Sequence, residues 1–301
     1  MRHVSCPYCS RNNTEFLYPR FADPESIYGL NYVACVNCGI AYLNPMPEEA
    51  ELSGHYEKFE AVPKEDPSGF KMDPFRGKTI KSLKPSRETD RLLDVGCGKG
   101  EMVYCLMNEG YDAVGVEPYF KPEYENEELN RRIISKTIFD AGFEDGRFSL
   151  ITMWSVMEHI IDPEPLLKEV ARLLKPGGRL IISVPNLNTW QHRLLKNCWL
   201  GFGPPGHVFV YSETGLARIM EERGFRLVRS VPDRVNDSWI LKNSIYIHLF
   251  YNRKMEGDPW RLSKNFSKAR RSLIGIFAFA FVRAEGLLNK KATANLVFEK
   301  K

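Results

Sequence analysis

Short apolar runs alternate with amphipathic stretches through most of the chain. The run RLLDV at 91–95 has the pattern of a buried strand, and apolar positions three and four apart within 102–107 share one face of a helix. A second buried strand is predicted at 113–116. Strands that alternate with helices in this way predict an α/β fold built on a largely parallel sheet.

Composition agrees with a globular protein. The chain has 301 residues, of which 43% are hydrophobic and 27% are charged. These values exclude a disordered chain, a collagen-like repeat and a small disulfide-stapled scaffold. The net charge of +4 is too small to predict nucleic-acid binding by itself.

Charge is unevenly distributed. Residues 241–301 contain 13 basic and 4 acidic side chains, whereas residues 1–240 carry a small net negative charge. Apolar clusters at 240–251 and 274–281 accompany the basic residues. Apolar helices flanked by Lys and Arg lie in anionic membrane interfaces, but they also cover a substrate site or form a dimer face. A peripheral membrane or lipid-linked substrate contact, a folded cap and a homodimer interface therefore all stay open for residues 241–291.

The N-terminus carries no leader-like pattern. The first 20 residues lack an apolar segment, and the longest apolar run, 273–282, is far shorter than the ~20 residues of a spanning helix. We therefore expect a cytoplasmic protein, with peripheral association at the inner face of the membrane left open. Thiols stay reduced in that compartment, so the seven cysteines are interpreted as ligands or core residues.

Four cysteines have the spacing of a metal site. Cys6 and Cys9 form one C-x2-C pair, and Cys35 and Cys38 form a second. Two such pairs complete a tetrahedron around zinc and leave no open position, which indicates a structural zinc ribbon over residues 1–47. The charges between the pairs nearly cancel, so no nucleic-acid partner is expected.

A glycine loop follows the first predicted strand. Gly96-Cys97-Gly98 leads into the helix, and Glu117 ends the next strand, 23 positions after Asp94. This arrangement brings backbone N–H groups and a carboxylate to a ligand with ribose hydroxyls. The spacing differs from the dinucleotide fingerprint, and Asp94 would repel a pyrophosphate. A ligand with an amino-acid tail and a sulfonium fits better than NAD.

At these residues the sequence resembles the class I S-adenosylmethionine-dependent methyltransferases. The segments that carry the resemblance, in order, are LLDVGCGKG, VGVEP, FSLITMWSVMEHIIDP (148–163), LLKPGGRLIISVPN (173–186), GHVFVYSETGLARIMEERGFRLV (206–228) and ANLVFEKK (294–301). The resemblance implies a Rossmann-like, seven-stranded doubly wound sheet. The implied domains are a zinc ribbon (1–47), a helical linker or lid (48–88), the S-adenosylmethionine-binding domain (89–240), a basic helical insertion (241–291) and the final strand (292–301).

The same resemblance implies a cofactor site. Its residues near the methionine portion, the ribose, the adenine and the sulfonium are Asp94, Gly96, Cys97, Gly98, Glu117, Thr137, Ile138, Trp154 and Ser155. For a hydroxyl acceptor the transfer also needs a general base, for which we predict His159 first and His207 second. Tyr211 and Tyr56 are weaker candidates, the latter within a helical lid over residues 48–60.

The acceptor is predicted from the N-terminal segment. CPYC followed by CVNCGIAYLNPMP is similar to methyltransferases of sugar and surface-polysaccharide biosynthesis, which implies a sugar or a nucleotide- or lipid-linked sugar as the small-molecule acceptor. Two alternatives stay open: a quinone or other lipid-like acceptor, and a non-catalytic zinc-ribbon module that binds the cofactor.

Overall fold

The computed structural model describes residues 2–19, 31–56, 66–119, 123–203, 206–252, 267–288 and 290–301. The chain divides into two compact units. We call the first the cysteine unit, and its segments are Met1–Pro47, Val184–Leu216 and Pro232–Asn295. We call the second the sheet unit, and its segments are Glu48–Ser183, Ala217–Val231 and Leu296–Lys301.

Strands and helices are numbered in chain order. The strands are β1 (Thr14–Pro19), β2 (Asn31–Cys35), β3 (Ala41–Leu43), β4 (Arg91–Val95), β5 (Asp112–Val116), β6 (Ile133–Ile134), β7 (Phe148–Trp154), β8 (Leu174–Pro185), β9 (Phe209–Val210), β10 (Phe225–Ser230) and β11 (Thr293–Lys300). The α-helices are α1 (Glu49–Tyr56), α2 (Pro74–Lys81), α3 (Glu101–Asn108), α4 (Glu127–Arg132), α5 (Pro163–Leu173), α6 (Trp190–Leu195), α7 (Glu213–Glu221), α8 (Arg234–Asn252) and α9 (Lys268–Leu287).

A seven-stranded sheet confirms the predicted α/β fold. Its strand order is β10-β11-β8-β7-β4-β5-β6. The strand β4 pairs in parallel with both β5 and β7, and parallel pairing continues to β6 on one side and to β8 on the other. The strands β10 and β11 pair antiparallel at the other end. Because β4, β5, β6 and β7 are parallel neighbours, the loops after them emerge at one edge of the sheet.

The sequence explains where the helices of the sheet unit begin and which face they bury. Pro74 and Pro163 occupy first-turn positions of α2 and α5, where the missing N–H has no partner to lose. Asp73 caps α2 by accepting the backbone N–H of Arg76 at 2.9 Å. The buried side chains of α5 recur on one face, at Leu166, Leu167, Val170 and Leu173.

The cysteine unit contains a second, four-stranded sheet of order β1-β2-β3-β9. Its first three strands come from the N-terminal segment, and the fourth comes from residues 209–210. The interior includes the fully buried Tyr32, Tyr42 and Trp199. The spacing of the cysteines does not predict this fourth strand, because it comes from a segment more than 160 residues farther along the chain. The predicted limit of the N-terminal domain at residue 47 stays a prediction.

Two buried carboxyl groups hold the helices of the cysteine unit together. Glu285 of α9 accepts hydrogen bonds from the Thr189 hydroxyl at 2.6 Å and from the backbone N–H of Trp190 at 2.7 Å. Gln191 donates its side-chain and backbone N–H to the same carboxylate at 3.0 and 3.2 Å. A carboxylate at the N-terminus of α6 is also stabilised by the helix dipole. Glu285 thereby ties α9 to α6.

The second carboxyl group, Asp237 of α8, accepts the backbone N–H and the hydroxyl of Thr293 at 2.9 and 2.8 Å. Burial raises the pKa of Asp237 to about 7. These bonds attach α8 to the start of β11.

Within the described residues, no helix is both long enough and apolar enough to cross a membrane.

Candidate functional site

The loop between β4 and α3 exposes its backbone. Gly98 has a φ of +53°, in the left-handed region, and a Cβ built there would meet no atom within 4 Å. Gly96 also has a positive φ, and a Cβ on it would lie 2.6 Å from a methyl group of Val156. Glycine is therefore required at residue 96 for space, whereas at residue 98 it opens the backbone toward a ligand.

Asp94 lies in β4 directly before this loop. It is 5% exposed and is paired in register with Thr152 of β7, whose hydroxyl donates to Asp94 Oδ1 at 2.8 Å. Burial raises the pKa of Asp94 to about 7, against the lowering effects of Thr152 and of the positive charge of Arg76. Asp94 is thus a buried acceptor whose one donor among the described residues is Thr152, and it retains lone pairs for a further donor.

Glu117 follows β5 and faces the same loop. The backbone N–H of Gly98 donates to Glu117 Oε2 at 3.1 Å, and the N–H of Tyr119 donates to Oε1 at 3.1 Å. The negative charge of Glu117 also contributes to the raised pKa of Asp94, so the two carboxyl groups act on each other electrostatically. The structure therefore brings together Asp94, the glycine loop and Glu117, as the spacing predicts.

Trp154 closes β7 at the neighbouring strand end. It is 6% exposed, and the ring of Phe75 meets it edge-on with centroids 6.1 Å apart. The guanidinium carbon of Arg76 lies 5.3 Å from the indole centroid. The indole N–H of Trp154 has no hydrogen-bond partner among the described residues. The helix α2 thus places a cation against the indole ring, near enough to the buried Asp94 to lower its pKa.

The turn after β7 is strained and carries an unpartnered acid. Ser155 has a φ of +56°, and its N–H donates to the carbonyl of Ser183 at 2.9 Å. Glu158 is 1% exposed, and neither of its carboxyl oxygens has a hydrogen-bond partner in the described part of the chain. Burial raises the pKa of Glu158 to about 8, against the smaller lowering effects of its own backbone N–H and of the nearby Ser155 hydroxyl, neither of which reaches hydrogen-bond geometry. His159 ends the same single turn of 3-10 helix, Met157–His159, and is half-buried.

The remaining predicted residues of the sheet unit lie near the same edge of the sheet. Thr137 follows β6, and its hydroxyl donates to the carboxylate of Asp140. Ile138 is 4% exposed. The Cys97 thiol packs against Gly115, where a Cβ would lie 2.5 Å from the sulfur. Burial raises the pKa of Cys97 well above its usual range, so this thiol stays protonated and is not a nucleophile.

In the cysteine unit, the four predicted cysteines meet. Sγ···Sγ distances are 3.2 Å for Cys6–Cys38, 3.5 Å for Cys9–Cys35 and 3.8 Å for Cys9–Cys38, and all four sulfurs lie within 4.8 Å of one another. Four thiolates that bind one zinc at about 2.3 Å stand about 3.8 Å apart. The hydrogen bond with Cys38 lowers the pKa of Cys6 to about 5.

The two cysteine turns have matching backbones. The N–H of Ser10 donates to the carbonyl of Cys6 at 2.8 Å, and the N–H of Gly39 donates to the carbonyl of Cys35 at 2.8 Å. Ser10 and Gly39 both have positive φ values, +56° and +67°. Each C-x2-C segment is therefore folded into the same turn, which aims both sulfurs of the pair inward.

His207 also lies in the cysteine unit. Its Nδ1 is 2.9 Å from the carbonyl of Gly201 and must donate to it, which places the basic lone pair on Nε2. Its own backbone carbonyl accepts the hydroxyl of Tyr32 at 2.6 Å. Tyr211 is fully buried, with its hydroxyl 2.8 Å from that of Tyr8. The side chain of Tyr56, like residues 57–60 of the predicted lid, lies outside the described residues.

Three residues of this site are not among the predicted site residues. Arg76 is one basic residue in a short helix upstream of the glycine loop, and Thr152 is a polar position in a buried strand. Glu158 directly precedes His159 in the segment 148–163 that carries the family resemblance, and this adjacency is the signal that could have found it. Register could have found Thr152, because it is the residue of β7 that pairs with Asp94. The contact of Arg76 with Trp154 depends on where the chain folds back.

Comparison with known proteins gives a family match. A family model described as a methyltransferase domain matches residues 71–230. The chain is 34% identical over 103 residues to the ubiquinone biosynthesis O-methyltransferase of Coxiella burnetii, which is 32% of this chain and 44% of that protein. It is 29% identical over 126 residues to the protein of that name from Alkalilimnicola ehrlichii, 39% of this chain and 50% of that protein. The chain therefore matches half or less of the length of these relatives.

Solved structures give more distant likenesses. A SAM-dependent methyltransferase from Archaeoglobus fulgidus is 16% identical with a TM-score of 0.43, over 75% of this chain and 92% of that chain. A geranyl diphosphate C-methyltransferase from Streptomyces coelicolor is 14% identical with a TM-score of 0.43, over 75% of each chain.

Proposed function

Because the chain belongs to the methyltransferase domain family, we propose that it transfers a methyl group from S-adenosylmethionine to a small-molecule acceptor. The observation that carries the proposal is the hydrogen bond from the Gly98 N–H to Glu117 at 3.1 Å, beside the buried Asp94. This bond joins the glycine loop to Glu117, and Glu117 and Asp94 lie at the carboxyl ends of the adjacent parallel strands β5 and β4.

The residues present fit this cofactor. Asp94 and Glu117 offer carboxylate oxygens to the donors of S-adenosylmethionine, its amino group and its ribose hydroxyls respectively. Arg76 lies close enough to Asp94 to lower its pKa, and its guanidinium suits the carboxylate of the methionine portion. Trp154 and Ser155 would border the sulfonium, and Thr137 and Ile138 the adenine. When bound, the cofactor supplies a methyl group on a positively charged sulfur.

For the acceptor we propose a sugar, or a nucleotide- or lipid-linked sugar, on the likeness of the N-terminal C-x2-C segments to enzymes of polysaccharide biosynthesis. The chain's task is to align the acceptor hydroxyl and to hold its proton, with His159 or His207 as base. At His207 the Nδ1–H bond to Gly201 supports this role, because it fixes the ring with Nε2 as its basic atom. A quinone acceptor is the second candidate, favoured by the names of the curated relatives.

The first experiment is a calorimetric titration with S-adenosylhomocysteine, with NAD as a parallel control. We expect binding of the first ligand alone. Glu117→Gln should weaken that binding about tenfold or more, since a hydrogen bond to a charged group contributes about 1.5–3 kcal/mol. The matched control is Glu127→Gln, whose side chain is exposed in the first turn of α4 and should leave the affinity unchanged.

Acceptors are then separated by methyl incorporation, followed by mass spectrometry. Nucleotide sugars and lipid-linked sugars form one set, and hydroxylated quinols form the other. Methylation of the second set alone would replace the sugar by the quinone proposal. Binding of S-adenosylhomocysteine with no methylation of either set would favour the non-catalytic module, and absence of binding would contradict the cofactor assignment itself.

We also propose that Cys6, Cys9, Cys35 and Cys38 bind one structural zinc ion. The short sulfur–sulfur distances and the matched turns support it, because four buried or half-buried thiols at tetrahedral spacing form a closed site. Elemental analysis of the purified chain should find one zinc per chain. Cys35→Ser should lose that metal, and Cys105→Ser, at a thiol outside the cluster, should keep it. Zinc retained by both variants would contradict this site.

A further inference from the structure

The helix α9 is apolar on two opposite faces. Its inner face packs Ala278 and Val282 against Leu241 of α8, and all three side chains are at most 3% exposed. Its outer face carries large apolar side chains in contact with solvent. Their exposures are 66% for Leu273, 67% for Ile276, 55% for Phe277 and 87% for Leu287. Ile276 and Phe277 follow Leu273 by three and four residues, and Leu287 follows it by fourteen residues, about four full turns, so the four side chains form one stripe along the helix.

The charges of α9 differ in their exposure. Its four basic residues, Lys268, Arg270, Arg271 and Arg283, are all exposed. Its single acidic residue, Glu285, is 1% exposed and accepts the hydrogen bonds from α6. At 100° per residue, Arg270 and Arg283 fall on either side of the apolar stripe. The outer face is therefore an apolar strip with a purely cationic margin.

The start of α8 adds to this apolar exposure. Val235 is 79% exposed and Trp239, one turn later, is 48% exposed. The neighbouring Arg234 reaches the last turn of α9, where its Nε lies 3.9 Å from a Cβ built on Gly286. Tryptophan is enriched where an apolar medium meets water, because its ring is apolar and its N–H is polar.

An anionic lipid surface fits these features better than a second copy of the chain. Two copies of this face in a symmetric contact would bring cationic margins together, and none of the described residues of α9 is an exposed acid that could pair with them. An anionic bilayer matches both parts at once, since it buries the apolar strip among acyl chains and neutralises the arginines at its headgroups. The helix α9 is not long and apolar enough to cross a bilayer, so it would lie in the plane of the membrane interface.

We propose that the outer face of α9, the stripe Leu273–Ile276–Phe277–Leu287 with its arginine margin, docks the protein onto anionic membranes. The proposal is independent of the acceptor and of the methyl transfer, since none of these residues belongs to the cofactor site. Of the three roles that the sequence leaves open for residues 241–291, namely a membrane contact, a folded cap and a dimer interface, the proposal favours the membrane contact.

The test is co-sedimentation of the full chain with phosphatidylcholine vesicles, with and without phosphatidylglycerol. We expect binding to the anionic vesicles that weakens at high salt, and little binding to the neutral ones. The double variant Leu273→Ser with Phe277→Ser should weaken anionic-vesicle binding about tenfold or more. The double variant Arg270→Gln with Arg283→Gln, which removes the cationic margin of the stripe, should weaken it about tenfold at low salt and less at high salt.

Two controls keep the outcomes distinct. Phe16→Ser removes a phenylalanine of β1 that is 62% exposed, similar to Phe277, and should leave vesicle binding unchanged. Unaltered denaturant midpoints and S-adenosylhomocysteine affinity in the α9 variants would show that fold and cofactor site are intact. Equal binding to neutral vesicles, or no vesicle binding by the parent chain, would overturn the proposal. A parent dimer that the Leu273→Ser, Phe277→Ser variant converts to monomers would assign this face to self-association instead.

Discussion

Two buried glutamates, one in each unit, differ in almost everything except their burial. Glu285 and Glu158 are both 1% exposed. Glu285 accepts four hydrogen bonds from three consecutive residues at the start of α6. Neither oxygen of Glu158 has a hydrogen-bond partner among the described residues, and burial raises its pKa to about 8.

The difference separates a structural acid from a candidate functional one. A buried carboxyl group with a full set of donors offsets the cost of its desolvation and fixes the elements that supply the donors. A buried carboxyl group without donors costs stability, and such groups persist mainly where a site requires them. Glu158 stands beside the strained Ser155 and the predicted base His159, at the edge of the sheet where Asp94 and Glu117 meet the glycine loop.

The largest effect is expected from removal of the satisfied acid. Glu285→Ala leaves donors of Thr189, Trp190 and Gln191 buried without an acceptor, each at a cost of about 1–3 kcal/mol. The free energy of unfolding should fall by at least about 3 kcal/mol, measured by denaturant titration. The control Glu222→Ala, at an exposed acid, should change it by less than about 0.5 kcal/mol. An equally small change in both variants would mean that the Glu285 bonds contribute nothing net.

The opposite sign is expected for the unpartnered acid. Glu158→Gln removes a carboxyl group that must take up a proton when the chain folds, so the free energy of unfolding should rise by about 1–3 kcal/mol near pH 8. The pKa of Glu158 rises from 4.5 in the unfolded chain to about 8 in the folded one. Between these values the folded state holds a proton that the unfolded state has lost, so the parent loses stability as pH rises.

The stabilities of Glu158→Gln and of the parent can be compared between pH 4.5 and pH 8. Denaturant titrations near pH 4.5 and near pH 8 should show the Glu158→Gln advantage growing with pH. Methyl transfer should decrease in the same variant if Glu158 serves the site. A stability difference that is constant with pH would mean that Glu158 is ionised in the folded protein, and the contrast with Glu285 would fail.

The sequence predicts contacts between residues that are close along the chain, but not contacts between residues that are far apart along it. Asp94, Gly96, Gly98 and Glu117 belong to one strand–loop–helix–strand run, so local spacing predicts that they meet. The seven-stranded α/β sheet follows from the same alternation and is confirmed. The bonds of Glu285 join residues more than 90 positions apart, and no periodicity records such a contact.

The cysteine unit shows the same limit. The two C-x2-C pairs predict that four sulfurs meet, because each pair is a local turn and only the approach of the two turns is long-range. The fourth strand of their sheet, Phe209–Val210, is two residues long and is defined only by its pairing with β3. The role of Arg76 could not be predicted either, because it is a single basic residue in α2 and its contact with Trp154 is visible only in the folded chain.

The smallest effect is expected at the intermediate case, a buried acid with one donor. Thr152→Val removes the 2.8 Å bond to Asp94 and should lower the free energy of unfolding by about 1 kcal/mol. The hydroxyl holds the pKa of Asp94 down against burial, so the loss should be greater above pH 7 than below it, because the variant must ionise a less stabilised carboxyl group. The matched control is Thr79→Val, a buried threonine that donates to the carbonyl of Phe75 at 2.8 Å and has no titrating partner in that bond. Its loss should be similar in size but independent of pH, and a pH-dependent loss in both variants would remove Asp94 as the cause.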